Sequence, residues 1–397
     1  MTREIVLGVD FGTSYTSAGA LIDGRIELVV DNGDPMIPSV VHIPERGPAV
    51  VGRVALNRLP SHPSATVTSV KRLMGSELGD SSELRRLAPT VPYRITSSAA
   101  GGIVLKLRNQ DWAVEQIAAA ILDRVRNLAE QRFGAQVRRI VVTASAVASP
   151  GYHVSLRKAA RLAHLEILEI IAEPIAGALA LGMHAHAEPR RVLVCDFGGG
   201  TFDVTAMLQA GTKFRALAIG GDPFLGGDDL DEAMVQALAG LIYTRARFDL
   251  LRDNVRRQTL LLRCESAKRS LSTALEARLN MREAYIEDGA SRDVNVLVDR
   301  TWVQPLWDPL FKRALTAVDD TMKRAGWTDD QVDQVALIGG TSLVPRFQEL
   351  LRGRFAHVEI TATDLANVAV AMGATLLTAR HGPARNDGPE LEQAASM

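Results

Sequence analysis

The sequence predicts an α/β protein made of two similar lobes that face each other across a cleft. Two observations support this fold class. A short apolar strand runs into an Asp-Phe-Gly turn and a second strand at two places in the chain, around Asp10 and around Asp196. The two copies lie about half a chain apart, and this spacing is typical of two facing domains rather than of a stack of short repeats.

The second copy, residues 192–208, has the composition of a phosphate-binding hairpin. Its apolar run 192–195 is too short for a helix and is rich in β-branched residues, so it predicts a buried strand. The alternating run 201–207 predicts the partner strand. Between them lie three glycines, and glycine lets backbone N–H groups approach a ligand with no Cβ in the way. An ordinary tight turn is the alternative reading of this stretch alone.

Carboxylates flank both hairpins. Asp196 ends the first strand of the second hairpin and Asp203 begins the next, while Asp10 ends strand 5–9 of the first hairpin. Carboxylates beside a phosphate repel it unless a cation lies between them, and Mg²⁺ prefers oxygen ligands. A ligand between the lobes would receive one hairpin from each. The duplication therefore predicts a magnesium-dependent phosphate clamp.

Composition limits the class of protein. With 397 residues, 47% of them hydrophobic, the chain is long enough for two domains with full cores. A formal net charge of −1 argues against nucleic acid or an anionic membrane as a partner. The two cysteines, Cys195 and Cys264, fit a reducing compartment. The N-terminus shows no signal-peptide pattern, and the most apolar long stretch, 167–183, contains two glutamates and a proline. We expect a soluble cytoplasmic protein without a membrane span.

Apolar periodicity and turn residues predict the remaining elements of the first half. An irregular region rich in Gly, Pro and Ser, 45–107, interrupts the pattern and suggests an inserted subdomain. An amphipathic helix at 114–133 should end at Gly134, since glycine commonly follows a helix. The other predicted elements are a strand at 25–30, a turn at 31–35, a strand at 139–143, a helix at 152–165, a strand at 167–171 and a helix at 173–181.

The second half repeats this plan. A Gly-rich turn at 222–229 opens a helix whose N-terminus could stabilise an anion. Helical patterning at 230–271, a β-like segment at 278–298 and helices at 305–325, 345–351 and 368–374 follow, with a buried strand at 335–338. We divide the chain into lobe I (1–183, with an insertion at about 37–113), lobe II (184–381, with an insertion at about 229–304) and a disordered tail (382–397).

Five motifs in order resemble the nucleotide site of the actin-like ATPase superfamily. They are the two Asp-Phe-Gly hairpins, Glu-Pro-Ile-Ala-Gly-Ala-Leu-Ala at 173–180, Leu-Ile-Gly-Gly-Thr-Ser-Leu-Val-Pro at 337–345 and Val-Ala-Met-Gly-Ala at 370–374. The segments 69–75, 224–231 and 264–272 further resemble the nucleotide-binding domain of the heat-shock protein 70 (DnaK-type) chaperones. The resemblance covers about residues 4 to 380, and an ordered set of motifs is far more specific than one glycine loop.

The resemblance implies an ATPase with two ribonuclease H-like lobes, inserted subdomains and a central nucleotide cleft that binds ATP or ADP. Asp10, Asp196 and Asp203 would hold Mg²⁺ through water and, with Tyr15 and Thr201, a monovalent cation such as K⁺. The residues implied in catalysis are Lys71, Glu173, Asp196, Thr201 and Asp10, with Glu173 orienting the attacking water and Lys71 reaching the γ-phosphate. The residues implied in nucleotide binding are Gly12, Thr13, Ser14, Tyr15, Gly198, Gly199, Gly200, Thr201, Gly226, Gly227, Glu265, Lys268, Arg269, Ser272, Gly339, Gly340, Thr341 and Leu343.

Two positions depart from the family pattern. Leu343 stands where an arginine usually stacks on adenine, and losing a stacked guanidinium costs on the order of 0.5–2 kcal/mol. Adenine binding is therefore expected to be about tenfold weaker unless Arg269 compensates. Ser145 stands where the family has a proline of its interdomain relay, and serine cannot fix its own φ as proline does. The sequence shows no interdomain linker or peptide-binding domain, so we expect no conventional peptide-holding cycle and an unidentified protein partner or co-chaperone.

Other functions stay open at the level of sequence: an actin-like filament protein, a small-molecule kinase using the same clamp, or a nucleotide-binding pseudoenzyme. The oligomeric state is not predicted. His184 and His186 form a His-x-His pattern, but no third ligand lies nearby, so we interpret them as linker residues. The arginine-rich run 245–269 has apolar residues at helical spacing and is interpreted as solvated helix faces. Trp302 and Trp307 are expected to be packing residues.

Overall fold

The computed structural model describes residues 3–76, 91–98, 101–183, 188–211, 213–363 and 365–381. Its strands are β1 (Glu4–Phe11), β2 (Tyr15–Ile22), β3 (Arg25–Leu28), β4 (Ile37–Pro38), β5 (Val41–His42), β6 (Val50–Val51), β7 (Thr66–Val67), β8 (Arg94–Ser97), β9 (Ile103–Leu107), β10 (Gln110–Ala113), β11 (Gln136–Ala144), β12 (Glu166–Ala172), β13 (Arg190–Phe197), β14 (Phe202–Ala210), β15 (Lys213–Asp222), β16 (Glu276–Glu287), β17 (Ala290–Asp299), β18 (Gln334–Ile338) and β19 (Glu359–Ala362).

The α-helices are α1 (Arg53–Arg58), α2 (Val114–Phe133), α3 (Pro150–Leu162), α4 (Glu173–Ala180), α5 (Gly227–Ala246), α6 (Asn254–Leu271), α7 (Arg300–Ala325), α8 (Pro345–Arg354) and α9 (Ala369–Leu377). Short 3₁₀ helices lie at Pro63–Ala65, Val70–Leu73, Leu250–Arg252, Asp329–Gln331, Gly340–Leu343 and Thr378–His381.

The two central sheets have the same topology. Lobe I orders its strands β12-β11-β1-β2-β3, with β4 added on β2, and lobe II orders its strands β15-β14-β13-β18-β19. In each sheet three antiparallel strands form a meander, one further strand pairs in parallel with the first of them, and a second pairs in parallel with that added strand. Parallel neighbours need crossover connections, and helices supply them in both halves. The matching order and directions confirm the predicted α/β fold of two duplicated lobes.

An aromatic cluster anchors the hairpin of lobe II. In the β13–β14 register, Asp196 faces Asp203 and Phe197 faces Phe202 immediately before the glycine loop. The ring centroid of Phe197 lies 4.7 Å from that of Phe202 and 5.0 Å from that of Phe347. All three rings are fully buried. Because the strand ends are held in the core, the loop between them starts from a fixed position.

The lobes join through two helices made of small residues. α4 and α9 cross so closely that a Cβ added to Gly373 would lie 1.8 Å from the carbonyl oxygen of Ala176. A Cβ added to Gly8 of β1 would lie 2.1 Å from the backbone nitrogen of Thr375 in α9. An apolar core shared by both halves surrounds this crossing and includes Val141, Ile171, Val192, Val194 and Ile338.

Smaller elements surround the main sheets. In the first half, β5, β6 and β7 form one small sheet and β8, β9 and β10 another. In the second half, α5 and α6 pack near the hairpin β16–β17. The insertion limits predicted from the sequence, 37–113 and 229–304, remain predictions. In the structure, β4 pairs with β2 of the main sheet, and α7 begins at Arg300.

Several helix limits differ from the sequence-based ones. α7 begins five residues before Pro305, because the side chain of Asp299 caps it by accepting the backbone N–H of Trp302 at 2.7 Å. α3 starts at Pro150 behind the cap Ser149 and ends at Leu162, since His164 adopts a left-handed turn with φ 58°. α8 continues to Arg354.

The cysteines are buried free thiols. Burial raises the pKa of Cys195 to about 12, and the pKa of Cys264 is raised for the same reason. Thiols of this kind are unreactive near neutral pH. Trp307 is buried and donates its Nε1–H to the carbonyl of Leu230 at 3.1 Å, and Trp302 packs against the same core. Across the described part of the chain, no helix has both the length and the apolarity needed to span a membrane.

Candidate functional site

A cavity of about 280 Å³ lies between the lobes at the glycine loops. Every residue expected to take part in catalysis lines it: Asp10, Lys71, Glu173, Asp196 and Thr201. It is also lined by most of the residues expected to contact nucleotide, namely Gly12, Thr13, Ser14, Tyr15, Gly198, Gly199, Glu265, Lys268, Arg269, Ser272, Gly339, Gly340, Thr341 and Leu343. Gly200, Gly226, Gly227 and Asp203 are not among the lining residues.

The backbone carbonyl groups of the glycine loop of lobe II accept hydrogen bonds that hold the loop in place. Gly198 O accepts the backbone N–H of Gly227 at 3.1 Å and the hydroxyl of Thr341 at 2.8 Å. Gly199 O accepts the backbone N–H of Asp228 at 2.8 Å, and Gly200 O accepts Arg72. Fixed carbonyls preorganise the loop before any ligand arrives.

This backing explains why Gly226 and Gly227 do not line the cavity. A Cβ on Gly226 would lie 2.3 Å from Gly199 O, so only glycine lets the start of α5 approach the loop this closely. Ser14 of lobe I reaches the same place and donates its hydroxyl to Asp228 Oδ1 at 3.3 Å. The hairpin of lobe I therefore contacts the first turn of α5 directly.

Lys71 and Glu173 form a buried ion pair on one side of the cavity. Lys71 Nζ lies 2.6 Å from Glu173 Oε1, and the two side chains are 14% and 9% exposed. Lys71 lies in the 3₁₀ helix Val70–Leu73, which follows a left-handed residue, Ser69, with φ 54°. Burial lowers the pKa of Lys71, but Glu173, Tyr152 and Asp10 outweigh it and raise the pKa above its usual value. Lys71 is therefore a fixed positive charge in the cleft.

The three aspartates form an electrostatically strained group. Burial, followed by the charge of Glu173, raises the pKa of Asp10 and of Asp203 to about 7. Burial raises the pKa of Asp196 well above its usual value, and Glu173, Asp203 and Asp10 add to this effect. Lys71 lowers all three pKa values. Buried carboxylates that repel one another in this way are stabilised by a cation.

The donor set fits Mg²⁺ held through water. Carboxylate oxygens are the ligands this hard cation prefers, and Mg²⁺ usually keeps several of its waters. Within the described ranges, no group of three or more His, Cys, Asp or Glu side chains is close enough together to hold a metal ion directly. His184 and His186 lie outside the described residues, and so does the tail 382–397.

At the other end of the cavity, the residues expected to hold adenosine are engaged by neighbouring side chains. Tyr15 of lobe I donates its hydroxyl to Glu265 of lobe II. Arg269 donates to the same hydroxyl at 3.3 Å, and its guanidinium lies 5.6 Å from the centre of the Tyr15 ring. Lys268 Nζ bonds to Gly227 O at 2.7 Å and to Asp231 Oδ2 at 2.5 Å.

The sequence analysis did not predict several of the residues that line the cavity. The additional lining residues are Met36, Asp228, Thr273, Val344, Ala366, Asn367 and Val370. Asp228 lies inside the Gly-rich turn that the sequence analysis singled out, so its position offered a usable signal. Met36 and Asn367 come from distant loops and meet in space, with Asn367 Nδ2 2.9 Å from Met36 Sδ. Such a tertiary contact leaves no local pattern.

Comparison with known proteins agrees with the site. The sequence model of the family described as Hsp70 protein matches residues 6–389 of the 397. Members of this family are generally ATPases that use ATP or ADP with Mg²⁺ and act with co-chaperones. The match spans both duplicated lobes and every motif of the cleft. The chain therefore belongs to the Hsp70 family and carries its chaperone-type ATPase domain with the actin-like α/β fold.

Proposed function

We propose that this protein is a slowly hydrolysing ATP switch, whose lobes close on Mg-ATP and open on ADP, and whose state is read by a separate protein partner or co-chaperone. The observation that supports this most strongly is the meeting of the Lys71–Glu173 ion pair with Asp10 and Asp196 in one cavity between the lobes. The buried free thiols fit a reducing compartment, and we propose the cytoplasm.

Phosphoryl transfer depends on positioning and charge neutralisation more than on a strong base. Lys71 would supply a positive charge at the γ-phosphate, and Thr13, Ser14 and the glycine loop 198–201 would hold the phosphate oxygens. Asp10, Asp196 and Asp203 would hold Mg²⁺ through its waters. When bound, Mg²⁺ neutralises the charge that develops on the phosphates. Tyr15 and Thr201, with the aspartates, would hold a monovalent cation such as K⁺.

The contact between Glu173 and Lys71 supports the proposal of slow turnover. The carboxylate of Glu173 is engaged by Lys71 at 2.6 Å. In this position Glu173 can orient an attacking water, but it is not a free general base, and proton acceptors contribute about 10²–10⁴-fold when they are well placed. We therefore expect positioning of water to dominate and the hydrolysis rate to be low without a partner.

Adenosine would bind at the far end of the cavity. Glu265, Lys268 and Ser272 would hold the ribose and base through polar contacts, with Gly340 beneath the base. Arg269 would stack on adenine from one side, and Leu343 offers only an apolar contact in place of a second guanidinium. Since Arg269 contacts Tyr15 in the structure, nucleotide binding should change this contact.

Thermal denaturation with and without nucleotide tests this function. A ligand that binds only the folded state raises its stability by about 2.7 kcal/mol at 100 times its dissociation constant. We expect Mg-ATP to raise the melting temperature by several degrees, and EDTA to remove most of that rise. Phosphate release should be measurable above a Lys71→Ala control. If Mg-ATP produces neither stabilisation nor phosphate release, the proposal is wrong.

The same samples separate the other functions. Stabilisation by nucleotide with no turnover would identify a pseudoenzyme. Turnover that rises strongly with a small acceptor would identify a kinase, and ATP-dependent sedimentation would identify a filament protein.

A further inference from the structure

We propose that Ser145 is a positioning residue that holds the aspartate of lobe II, Asp203, in place for the metal, from across the cleft. This inference rests on the proposed function, because it concerns the same Mg-ATP site. The position is the one where the family pattern has proline, and a proline has no side-chain donor. The serine thus adds a contact that the family pattern does not supply.

The end of β11 presents two hydroxyl groups to two aspartates. Thr143 Oγ1 donates to Asp10 Oδ1 at 3.1 Å, within lobe I. Ser145 Oγ donates to Asp203 Oδ2 at 3.4 Å, across to lobe II. Thr143 lies in β11 and Ser145 follows its last residue, Ala144, so both hydroxyls lie at the same end of this strand. One strand end therefore contacts one acid from each lobe.

The hydroxyl of Ser145 is oriented by its own turn. Its Oγ accepts the backbone N–H of Val147 at 3.3 Å, and its carbonyl accepts the backbone N–H of Ala148 at 3.0 Å. A serine hydroxyl has one proton to donate and lone pairs to accept with. Because Val147 occupies a lone pair, the single proton remains for Asp203. At 3.4 Å this bond is long, as hydrogen bonds of catalytic sites often are before ligand binds.

The carboxylate of Asp203 requires a hydrogen-bond donor. Its side chain is buried, and buried polar groups in folded proteins are normally hydrogen-bonded. The bond engages Oδ2 of Asp203, the residue that pairs with Asp196 in the β13–β14 register, and so restrains its carboxylate. Since Ser145 and Asp203 belong to different lobes, a change in the lobe arrangement alters this bond. Ser145 therefore links the lobe arrangement to the metal site.

The test is the Mg²⁺ dependence of ATP binding and turnover in the full chain. Wild type is compared with Ser145→Ala, Ser145→Pro and Ser145→Thr. A hydrogen bond to a charged group contributes modestly, so we expect Ala and Pro to raise the half-saturating Mg²⁺ concentration about three- to tenfold. The KM for ATP at saturating Mg²⁺ should stay within about twofold. Thr keeps the hydroxyl and should restore the wild-type Mg²⁺ dependence, which a merely structural role would not require.

A double-mutant cycle with Asp203→Asn shows whether the effect passes through that carboxylate. Each variant is checked for folding by its melting temperature, and ATP affinity is measured by calorimetry at a series of Mg²⁺ concentrations. We expect Ser145→Ala to have little further effect once Asp203 is replaced. Additive effects, or an unchanged Mg²⁺ dependence in Ser145→Ala, would overturn the inference. A wild type that binds no Mg-ATP would instead refute the proposed function itself.

Discussion

We expect Leu343 to limit how tightly the cleft holds adenine. It lines the cavity beside Val344, in the position where the family pattern places a stacking arginine. Arg269 also lines the cavity, and its guanidinium lies over the ring of Tyr15. We expect Leu343→Arg to lower the dissociation constant for ATP about three- to tenfold, because a guanidinium over an aromatic base contributes about 0.5–2 kcal/mol. Calorimetry with ATP and with inorganic triphosphate measures the effect.

Leu343→Arg should increase the affinity for ATP. It should leave the affinity for triphosphate unchanged, because triphosphate has no base. Equal gains for the two ligands would show that the new charge acts on phosphate. An unchanged ATP affinity would show that adenine does not bind against this wall.

We expect the titration of Asp231 to make the stability of the protein depend on pH. Burial raises the pKa of Asp231 to about 7 from an ordinary 3.8, although Lys268 opposes this shift. Its Oδ1 is buried and has no hydrogen-bond partner, which agrees with a carboxyl that resists ionisation. The folded state therefore binds this proton more tightly than the unfolded state. The stability it contributes is fully present below about pH 4 and is lost as the pH rises to about 7.

Asp231→Asn removes this titration. We expect the melting temperature of the variant minus that of wild type to increase from pH 4 to pH 7 and to stay level above pH 8. Subtracting wild type cancels the other titrating groups that both proteins share. A difference that is flat or falls over this interval would contradict the raised pKa.

At the scale of elements, the crossing of α4 and α9 depends on glycine. A Cβ at Gly373 would lie 1.8 Å from Ala176 O, a backbone atom that cannot move alone. We expect Gly373→Ala to destabilise the protein by about 2 kcal/mol or more, because overpacking of a tight core costs about 1–3 kcal/mol and here the obstacle is backbone. Denaturant unfolding followed by circular dichroism measures this loss.

A matched substitution lies in α5. Gly240 is exposed, and a Cβ there would meet nothing within 4 Å. Gly240→Ala should therefore stabilise the protein by about 0.5–1 kcal/mol, since alanine is the better helix former. If both variants shifted stability in the same direction, the close crossing of α4 and α9 would not be the cause.

The elements show what the sequence can and cannot predict. α2 was predicted at 114–133 and is found there, because its apolar stripe is regular and Gly134 ends it in a left-handed turn, φ 60°. The start of α7 was predicted wrongly. The sequence places the start at Pro305, whereas the cap is Asp299, whose side chain accepts the backbone N–H of Trp302. More than one residue near a helix end can mark its start in the sequence, and the structure shows which one does.

In the candidate site, too, some features could be predicted from the sequence and others could not. The duplicated strands predicted that the two glycine loops meet in one place, and the family resemblance predicted Lys71 and Glu173 beside them; the structure brings all of them to the cavity. The roles of Arg72 and Ser145 could not be predicted. Arg72 bonds to the carbonyl of Gly200, and Ser145 bonds to Asp203, and both contacts join residues of different lobes. Contacts of this kind depend on how the lobes are placed against each other.

For the whole molecule, the lobes share a core at the base, and the cavity separates them above it. A ligand that touches both hairpins should draw them together. We expect a smaller radius of gyration by X-ray scattering with Mg-ATP than with ADP. Lys71→Ala with Mg-ATP should remain in the smaller form if it binds ATP without hydrolysing it. Identical scattering in both nucleotide states would show that the lobes do not act as a switch.

We propose that Lys71 and the clustered carboxylates promote ATP hydrolysis between the lobes. Single-turnover phosphate release from Mg-ATP tests it most directly, with wild type, Lys71→Ala and Lys106→Ala compared. Lys106 is an exposed lysine paired with Asp111 in the same lobe and serves as the control. We predict that Lys71→Ala lowers the rate about 100-fold or more, because losing one group that stabilises transition-state charge has this effect. Lys106→Ala should match wild type. Equal rates in wild type and Lys71→Ala, or none in either, would contradict the account.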